Sequence, residues 1–391
     1  MKNFKTLLLL LTALALISCN QDEPDPRFPV LGENGEFSLE DIASVMSELP
    51  IVREHLDEVH DAVNSSSGNG YDEEYMMSDL FASPGAGVGD KSTKAATKTY
   101  SNPLKDLFAA YFSDRYATRA GGDELVKESL DAIAGSDMQI YWPYSENWDG
   151  ESYPVVTYDP GDGSEVNYGY EIFYDDSGER RTRRVTVSEE MAASRPVWVI
   201  NRNDDSEYTP LGVFEEPAQA AASSEGQVAE PSESKGNVLL LRSFKALRNY
   251  DSWFAGGSEF FVKCGAVNGF RATTDEELRE YTPSVTDFMV VVKRSQIGRS
   301  IPLNTVLLTD FTEQMEKMAF LIMEDDGGQV TSWKCEAVVK YKSKSFGFTL
   351  DIPYRDRDDI VWRGQLSSDF LRQERFVMGR FGDVEIIFET R

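Results

Sequence analysis

Apolar residues in the first third of the chain recur at the three- and four-residue spacing of amphipathic helices. Ser38 and Asp41 have the spacing of a capping box, and Phe37 and Ile42 that of a hydrophobic staple, so a helix is predicted to begin here. Three further helices are predicted by the apolar stripes Val52/Leu56/Val59/Val63, Leu104/Leu107/Phe108/Tyr111 and Val126/Leu130/Ile133. The stretch 64–101 is rich in Ser, Gly and acidic residues, which predicts mostly loop.

From Met138 the apolar period changes to two, which is typical of half-buried strands. Asp149-Gly150, Asp162-Gly163 and Ser177-Gly178 favour tight hairpin turns between these strands. We therefore predict a small antiparallel sheet. Its strand-like runs are 138–144, 153–158, 167–174, 181–187 and 196–201.

A low-complexity segment separates this sheet from a second set of strands. Residues 202–236 are built mainly from Ala, Ser, Glu and Pro and predict a linker, because they offer little apolar surface to bury. Beyond them, alternation and acidic turns predict an antiparallel β-sandwich of jelly-roll or C2-like size, and hence an α+β fold overall. The predicted strands are 238–244, 259–267, 286–293, 305–309, 318–323, 331–342, 346–352 and 384–388.

The N-terminus carries a lipoprotein signal. Lys2 and Lys5 precede an apolar core that is too short to span a bilayer, and Leu16-Ile17-Ser18-Cys19 looks like a lipobox. We expect the signal peptide 1–18 to be removed and Cys19 to carry diacylglycerol and palmitate. Residues 19–36 are predicted to be a tether, and its acidic Gln21-Asp22-Glu23 resembles a surface-export signal. These features predict an outer-membrane lipoprotein that faces the exterior.

The overall charge of the chain limits its partners. Its 391 residues carry a formal net charge of −28, and no basic, aromatic-lined groove is apparent in the sequence. Such a chain repels nucleic acid, so we expect no nucleic-acid partner. The expected partners are the membrane, through the lipid, and a glycan or protein ligand.

Common catalytic motifs are incomplete. His55 and His60 are five residues apart, whereas zinc-binding helical pairs need a spacing of four, and no histidine follows residue 60. A histidine-dependent nucleophile confined to either β region is therefore excluded. Gly85–Thr93 imitates a phosphate-binding loop, but Asp90 stands where that motif needs glycine. We expect a non-enzymatic protein without a required cofactor.

Aromatic residues are concentrated between Ile140 and Tyr174. Trp142, Tyr144 and Trp148 lie beside turn residues and are the candidates for stacking on sugar rings. The alternative is that these rings fill the core of the small sheet. A glycan-active enzyme with paired carboxylates is a third interpretation, because acidic residues are interspersed among the rings.

Acidic residues in two loops of the predicted sandwich suggest calcium. Asp325 and Asp326 lie in one loop, and Asp356, Asp358 and Asp359 in another. Loops at one end of a sandwich can together supply the oxygen ligands that calcium takes. A calcium-dependent C2-like adhesion or lipid-contact module is therefore the alternative function. Against it, Asp326-Gly327 also suits a hairpin turn.

Two cysteines remain after Cys19. Cys264 and Cys335 each alternate with apolar residues, so both are expected to face the core. A disulfide between them would stabilise the fold by about 4 kcal/mol in the loop-entropy model. Two inert, buried thiols are the other possibility.

Several segments resemble a family of surface lipoproteins of gut Bacteroidota to which no activity is assigned. The lipobox, Asn69–Tyr75, Trp333-Lys334-Cys335 and Asp358–Gly364 carry the resemblance. It implies envelope localisation, a coherent fold over most of the mature chain and an ordered Asn69–Tyr75, but it transfers no catalytic residues. The expected organisation is a helical pair and loop at 37–101, helices and a small sheet at 102–201, and a sandwich at 237–391.

Overall fold

The computed structural model describes residues 31–32, 35–82, 103–119, 121–203 and 237–391. The lipobox, Cys19, most of the tether, Gly85–Thr93 and residues 204–236 of the predicted linker lie outside these ranges. We call residues 35–203 the N-terminal half and residues 237–391 the C-terminal half. The longer helices lie in the first of these and most strands in the second.

The predicted helices form where the apolar stripes indicate. Ser38 Oγ accepts the backbone N–H of Asp41 at 3.1 Å, and the Asp41 carboxylate accepts from Ser38 in return, which completes the capping box. Gly135 ends the helix that carries the Val126/Leu130/Ile133 stripe. The helices are α1 (Leu39–Glu48), α2 (Arg53–Gly68), α3 (Met77–Leu80), α4 (Leu104–Tyr116), α5 (Gly122–Ala134), α6 (Glu189–Ser194), α7 (Asp275–Glu280) and α8 (Ser368–Leu371).

The loop predicted for 64–101 is wrong for its first part. The second helix continues to Gly68, and Glu74–Met76 form an edge strand instead of loop. The composition misled here because Asp72, Glu73 and Glu74 are acidic yet buried. Residues 83–102 of this stretch lie outside the described part of the chain.

The sheet of the N-terminal half has six strands in the order β1-β2-β6-β3-β4-β5. Neighbours pair antiparallel except β3 and β6, which pair in parallel because α6 carries the chain back across the sheet. The sheet is therefore mixed and not purely antiparallel. Its strands are β1 (Glu74–Met76), β2 (Met138–Tyr141), β3 (Val155–Tyr158), β4 (Val166–Tyr174), β5 (Arg180–Ser188) and β6 (Val197–Arg202).

The C-terminal half is a sandwich of two antiparallel sheets around one apolar core. One sheet has the order β10-β7-β16-β15, and the other β13-β12-β11-β8-β9, with β14 paired to β11. Inward-facing rings such as Phe320 and Phe388 meet between the sheets. The strands are β7 (Asn237–Ala246), β8 (Ser258–Ala266), β9 (Ser284–Val292), β10 (Ile301–Phe311), β11 (Met315–Glu324), β12 (Val330–Tyr341), β13 (Lys344–Arg355), β14 (Asp359–Ser367), β15 (Phe376–Phe381) and β16 (Val384–Thr390). The chain is thus an α+β protein with sandwich-like sheets, as the sequence predicts.

A loop of the C-terminal half joins the two halves. The helices cover one face of the mixed sheet, and residues 249–257 reach the opposite face. Trp253 and Phe254 are fully buried there, against Tyr141, Val197 and neighbouring side chains. Trp253 also donates its indole N–H to the carbonyl of Glu165 at 2.9 Å. The two halves therefore share buried apolar surface.

Candidate functional site

The aromatic residues predicted to contact a ligand border one open cleft in the N-terminal half. Trp142, Tyr144 and Trp148 come from the segment between β2 and β3, and the end of α6 with the two residues after it, Ala192 to Pro196, also borders the cleft. The cleft contains about 430 Å³ of free space, part of which is open to solvent. Asn147, Asp149, Ser152, Ser194 and Arg195 add polar groups to the same lining. An apolar surface with a polar rim is typical of small-molecule sites.

Trp148 is held in place at the mouth of this cleft. Its indole N–H donates to the carbonyl of Ser152 at 3.0 Å, and its ring centroid lies 4.9 Å from that of His60. The guanidinium of Arg53 lies 5.4 Å from the ring centroid. The side chain remains half-buried. A ring fixed in this way offers a contact surface without a large loss of side-chain entropy on binding.

Trp142 does not have the exposed role that its turn neighbours suggested. Only 1% of its surface is exposed, and its ring packs edge to face against Trp198 and Trp148. Trp142 therefore forms the floor of the cleft and belongs mainly to the core. For Trp142 the alternative interpretation, that the ring fills the core of the small sheet, is therefore the correct one. Trp148 remains the main candidate for stacking on a sugar ring.

Tyr144 connects the cleft to the C-terminal half. Its hydroxyl donates to Glu189 Oε1 at 2.9 Å, and Arg294 of the C-terminal half lies 3.4 Å from the same oxygen. Burial, together with the hydrogen bond to Glu189, raises the pKa of Tyr144 to about 12. The hydroxyl is therefore a neutral donor at physiological pH.

The charged groups of the cleft are already engaged. Asp149 accepts from the backbone N–H groups of Glu151 and Ser152 and from the Ser152 hydroxyl, which lower its pKa to about 2. Arg195 pairs with Glu171 at 2.6 Å. A carboxyl that is ionised at such low pH is a poor general acid. The lining therefore suits recognition by hydrogen bonding better than proton transfer.

A second polar cluster lies where the two halves meet. Asp72 is 4% exposed, and its carboxylate accepts the backbone N–H of Gly257 at 2.9 Å. Burial raises the pKa of Asp72, although the Gly257 hydrogen bond opposes the shift. The neighbouring Glu73 is 1% exposed and accepts from the Ser145 hydroxyl at 2.9 Å. Burial, followed by the charge of Asp72, raises the pKa of Glu73 to about 8.

A third cluster of acidic side chains lies at one end of the sandwich. Carboxylate oxygens of Asp251, Glu259 and Glu324 lie within 4.8 Å of one another. Burial raises the pKa of Asp251, and a hydrogen bond with Glu324 opposes the shift. Carboxylate oxygens are the donors that calcium prefers, so the residues fit a hard divalent cation.

Four of the five predicted calcium aspartates lie around this cluster. The backbone N–H of Asp326 donates to the Asp358 carboxylate at 3.3 Å. Asp359 on β14 lies directly opposite Glu324 on β11 in the register of the two strands. The pKa of Asp326 is raised to about 6, mainly by burial and further by the charges of nearby acids such as Asp251. Burial likewise raises the pKa of Asp358 to about 6, and the contact with Asp325 adds to it.

Asp356 has a different role from the other predicted aspartates. It accepts the backbone N–H of Gln329 at 2.8 Å and so ties together the two strand ends of the β12/β13 hairpin. The sequence did not single out Asp251, Glu259 or Glu324. A sequence feature that could have indicated this cluster is an acidic residue directly beside a strongly apolar run. Glu259 precedes Phe260 and Glu324 follows Met323 in this way.

The histidines and cysteines have structural surroundings. His55 is 8% exposed, and its Nδ1 accepts the backbone N–H of Val52 at 3.2 Å. Burial lowers the pKa of His55. Cys264 and Cys335 are both free and buried, so the possible disulfide is not formed. They lie on β8 and β12, and β11 stands between these strands in the sheet order.

Comparisons with known proteins provide no family assignment. No protein-family model matches the chain, and no curated protein matches it either. One solved structure with local similarity is described as Drosophila C2-DSL-EGF1, with 9% identity and a TM-score of 0.19. That alignment covers 40% of this chain and 66%, just under two thirds, of the other. A similarity this low carries no functional argument.

Proposed function

We propose that the chain is a non-enzymatic binding protein of a bacterial cell envelope and that the cleft beside Trp148 takes its ligand. The observation that carries the proposal is the fixed, half-buried Trp148 ring at the mouth of an open cleft with a polar rim. An apolar ring with hydrogen-bonding neighbours is what a sugar ring needs, because its CH face stacks while its hydroxyls bond. A glycan is therefore the proposed ligand class.

The proposed location rests on the sequence. The lipobox that ends at Cys19 supports lipid attachment, and the acidic residues after it support the outward face. Among the described residues, no helix has both the length and the apolar character needed to cross a membrane. In this proposal the acyl chains are the anchor and the N-terminal half presents the cleft.

The proposal is tested by calorimetric titration of the full chain with neutral β-linked oligosaccharides of glucose, mannose and xylose. We expect at least one sugar to bind, and Trp148→Ala to weaken binding by roughly tenfold or more, as expected for the loss of a stacking aromatic. Asn147→Ala should weaken it less. Tyr174→Ala is the matched control, because Tyr174 is exposed but is not among the residues that border the cleft. An equal loss with Tyr174→Ala would contradict the assignment, and binding only to a peptide library would point to a protein ligand.

A calcium-dependent module is the second candidate function. The observation that favours it is the convergence of Asp251, Glu259 and Glu324, with Asp326 and Asp358 close by. Bringing these carboxylates together costs free energy unless protons or a cation compensate their charges. A bound calcium ion would supply that compensation and would tie β8, β11 and the 249–257 loop together.

Thermal unfolding in excess calcium and in excess chelator tests this second candidate. Millimolar calcium on a micromolar site adds about 4 kcal/mol to the free energy of unfolding, so the melting temperature should rise by several degrees. Glu259→Gln should abolish the rise. Asp356→Asn should keep it, because Asp356 holds the backbone N–H of Gln329 and is not one of the three converging carboxylates. Identical curves in calcium and chelator would remove this candidate.

A glycan-active enzyme receives less support from the same cleft. Asp149 is the carboxylate that borders it, and its lowered pKa does not suit a general acid. We therefore keep binding as the proposed activity.

A further inference from the structure

The outer face of one sandwich sheet combines cationic side chains with large, exposed apolar ones. In the sheet β10-β7-β16-β15, residues that pair directly across strands share a face. Met378 pairs with Ile387, and Ile387 with Ser243, while Val384 and Phe388 point to the core. The same registers assign the outward positions. These are Phe376, Met378 and Arg380 on β15, Glu385, Ile387 and Glu389 on β16, Leu240, Ser243 and Lys245 on β7, and Pro302 and Val306 on β10.

This face has a positive charge although the chain is strongly acidic. Glu389 is fully buried beneath three arginines, and its carboxylate lies 3.2 Å from Arg242, 2.7 Å from Arg375 and 2.9 Å from Arg391. Lys245 pairs with Glu385 at 2.9 Å. Arg380 donates to the carbonyl of Gly382 and lies opposite Glu385 in the strand register, but among the described residues it forms no ion pair. This surface therefore has five cationic side chains and two carboxylates. The cations are Arg242, Lys245, Arg375, Arg380 and Arg391, and the carboxylates are those of Glu385 and Glu389.

Large apolar side chains project from the same face. Met378 is 67% exposed and Phe376 is 50% exposed on β15, the edge strand, and Val306 is 40% exposed on β10 at the opposite edge. Exposed apolar side chains gathered on one face mark an interaction surface more often than scattered ones do. Their cationic neighbours restrict the kind of partner.

We propose that this face docks on an anionic phospholipid membrane. Such a surface supplies phosphate groups for the arginines and an apolar layer for Phe376 and Met378. A second copy of the same face would bring two cationic surfaces together. The acidic remainder of the chain does not prevent docking, because charges are screened beyond about 8 Å at physiological salt.

The contact is independent of the cleft and of the lipid on Cys19. It would add a second membrane attachment, from the C-terminal half, to the one at the N-terminus. The acyl chains expected on Cys19 would hold only the N-terminus, and a cationic patch is a common additional membrane signal beside acyl chains. The docked face would also orient the sandwich on the bilayer.

Vesicle sedimentation with a form that lacks the signal peptide 1–18 and carries Cys19→Ala tests this proposal without interference from the lipid or from the apolar signal core. At physiological salt, we expect binding to vesicles that contain phosphatidylglycerol and not to vesicles of phosphatidylcholine alone. The double change Phe376→Ser and Met378→Ser, and separately Arg380→Glu, should each lower the bound fraction by about tenfold or more. Val330→Ser is the matched control, because Val330 is 77% exposed on β12 of the other sheet.

Three outcomes would overturn the proposal. One is no preference for phosphatidylglycerol, and another is an equal loss of binding with Val330→Ser. The third is a self-association in sedimentation velocity that the Phe376/Met378 change abolishes, because the face would then join two copies. Melting temperatures of all variants are compared with that of the parent, so that a loss of binding is not confused with unfolding.

Discussion

The carboxylate of Asp72 accepts a hydrogen bond from the backbone N–H of Gly257, across 185 positions of sequence. This contact joins a segment that precedes the mixed sheet to the loop that carries Trp253 and Phe254. It is buried, and the same carboxylate also lies against Gly256. The two halves are therefore connected by the hydrogen bond of a buried acidic side chain as well as by apolar packing.

We expect Gly257→Ala to destabilise this junction. A Cβ atom at residue 257 would lie 2.8 Å from the carbonyl oxygen of Val292 and 3.3 Å from Asp72 Oδ1. Relief of such a clash costs about 1 to 3 kcal/mol in a packed region. Gly68→Ala is the control, because a Cβ there has nothing within 4 Å. Urea unfolding measures both, and equal stabilities of the two variants would contradict the role given to Gly257.

Trp253→Ala should remove the cooperative link between the halves. The ring is fully buried and hydrogen-bonded to Glu165, so its loss is expected to cost roughly 3 to 5 kcal/mol. Because the ring belongs to the C-terminal half but packs in the N-terminal half, we expect calorimetry to show one transition in the parent and two in the variant. Two transitions already present in the parent would contradict this link.

The buried Glu73 predicts a definite pH dependence of stability. Its pKa is about 8 in the folded protein and near 4.3 when unfolded, so the folded state holds the extra proton between these values. The stabilisation is complete below about pH 4 and is lost as the pH rises through about 8. From pH 5 to pH 9 we therefore expect the melting temperature to fall.

Glu73→Gln separates this residue from the other buried acids. Glutamine stays neutral, so the free energy of unfolding of the variant should fall less between pH 5 and pH 9 than that of the parent. The difference between the two falls should be on the order of 3 kcal/mol or more. Unchanged pH dependence would show that Glu73 does not hold its proton. Glu179→Gln is a suitable exposed control.

Cys19→Ala tests the proposed anchor. In bacterial cells the parent should incorporate labelled palmitate and sediment with membranes, because its lipid supplies the attachment. The variant should lose the label. A parent that takes up no label, with its signal peptide removed at another position, would contradict the lipobox assignment.

Much of the fold was predictable because the apolar period changes where the structure changes. The runs that became β4, β8 and β12 are rich in β-branched and aromatic residues, and α1 and α5 have the cap residues that define helix ends. Strands β14 and β15 were missed. Leu366 is the one buried residue of Asp359–Ser367, and Phe376–Phe381 is interrupted by Gly379, so neither segment gives a clear period.

The candidate sites were less predictable because they depend on distant contacts. The sequence placed Tyr144 and Trp148 in the right region, but the burial of Trp142 follows from its contacts with Trp198 and His60. Asp251 and Glu324 lie 73 positions apart and meet only because β8, β11 and the preceding loop pack together. Buried acids of this kind contradict the usual link between charge and exposure, so a local pattern cannot reveal them.

The most direct test of the proposed binding function is saturation-transfer NMR on the oligosaccharide that binds best, with the aromatic protons of the protein irradiated. The central claim is that a sugar ring stacks on Trp148. We predict that CH protons on one face of one sugar ring receive the strongest transfer and that Trp148→Ala removes it while Tyr174→Ala does not. Transfer spread evenly over the sugar, or retained in Trp148→Ala, would contradict the claim.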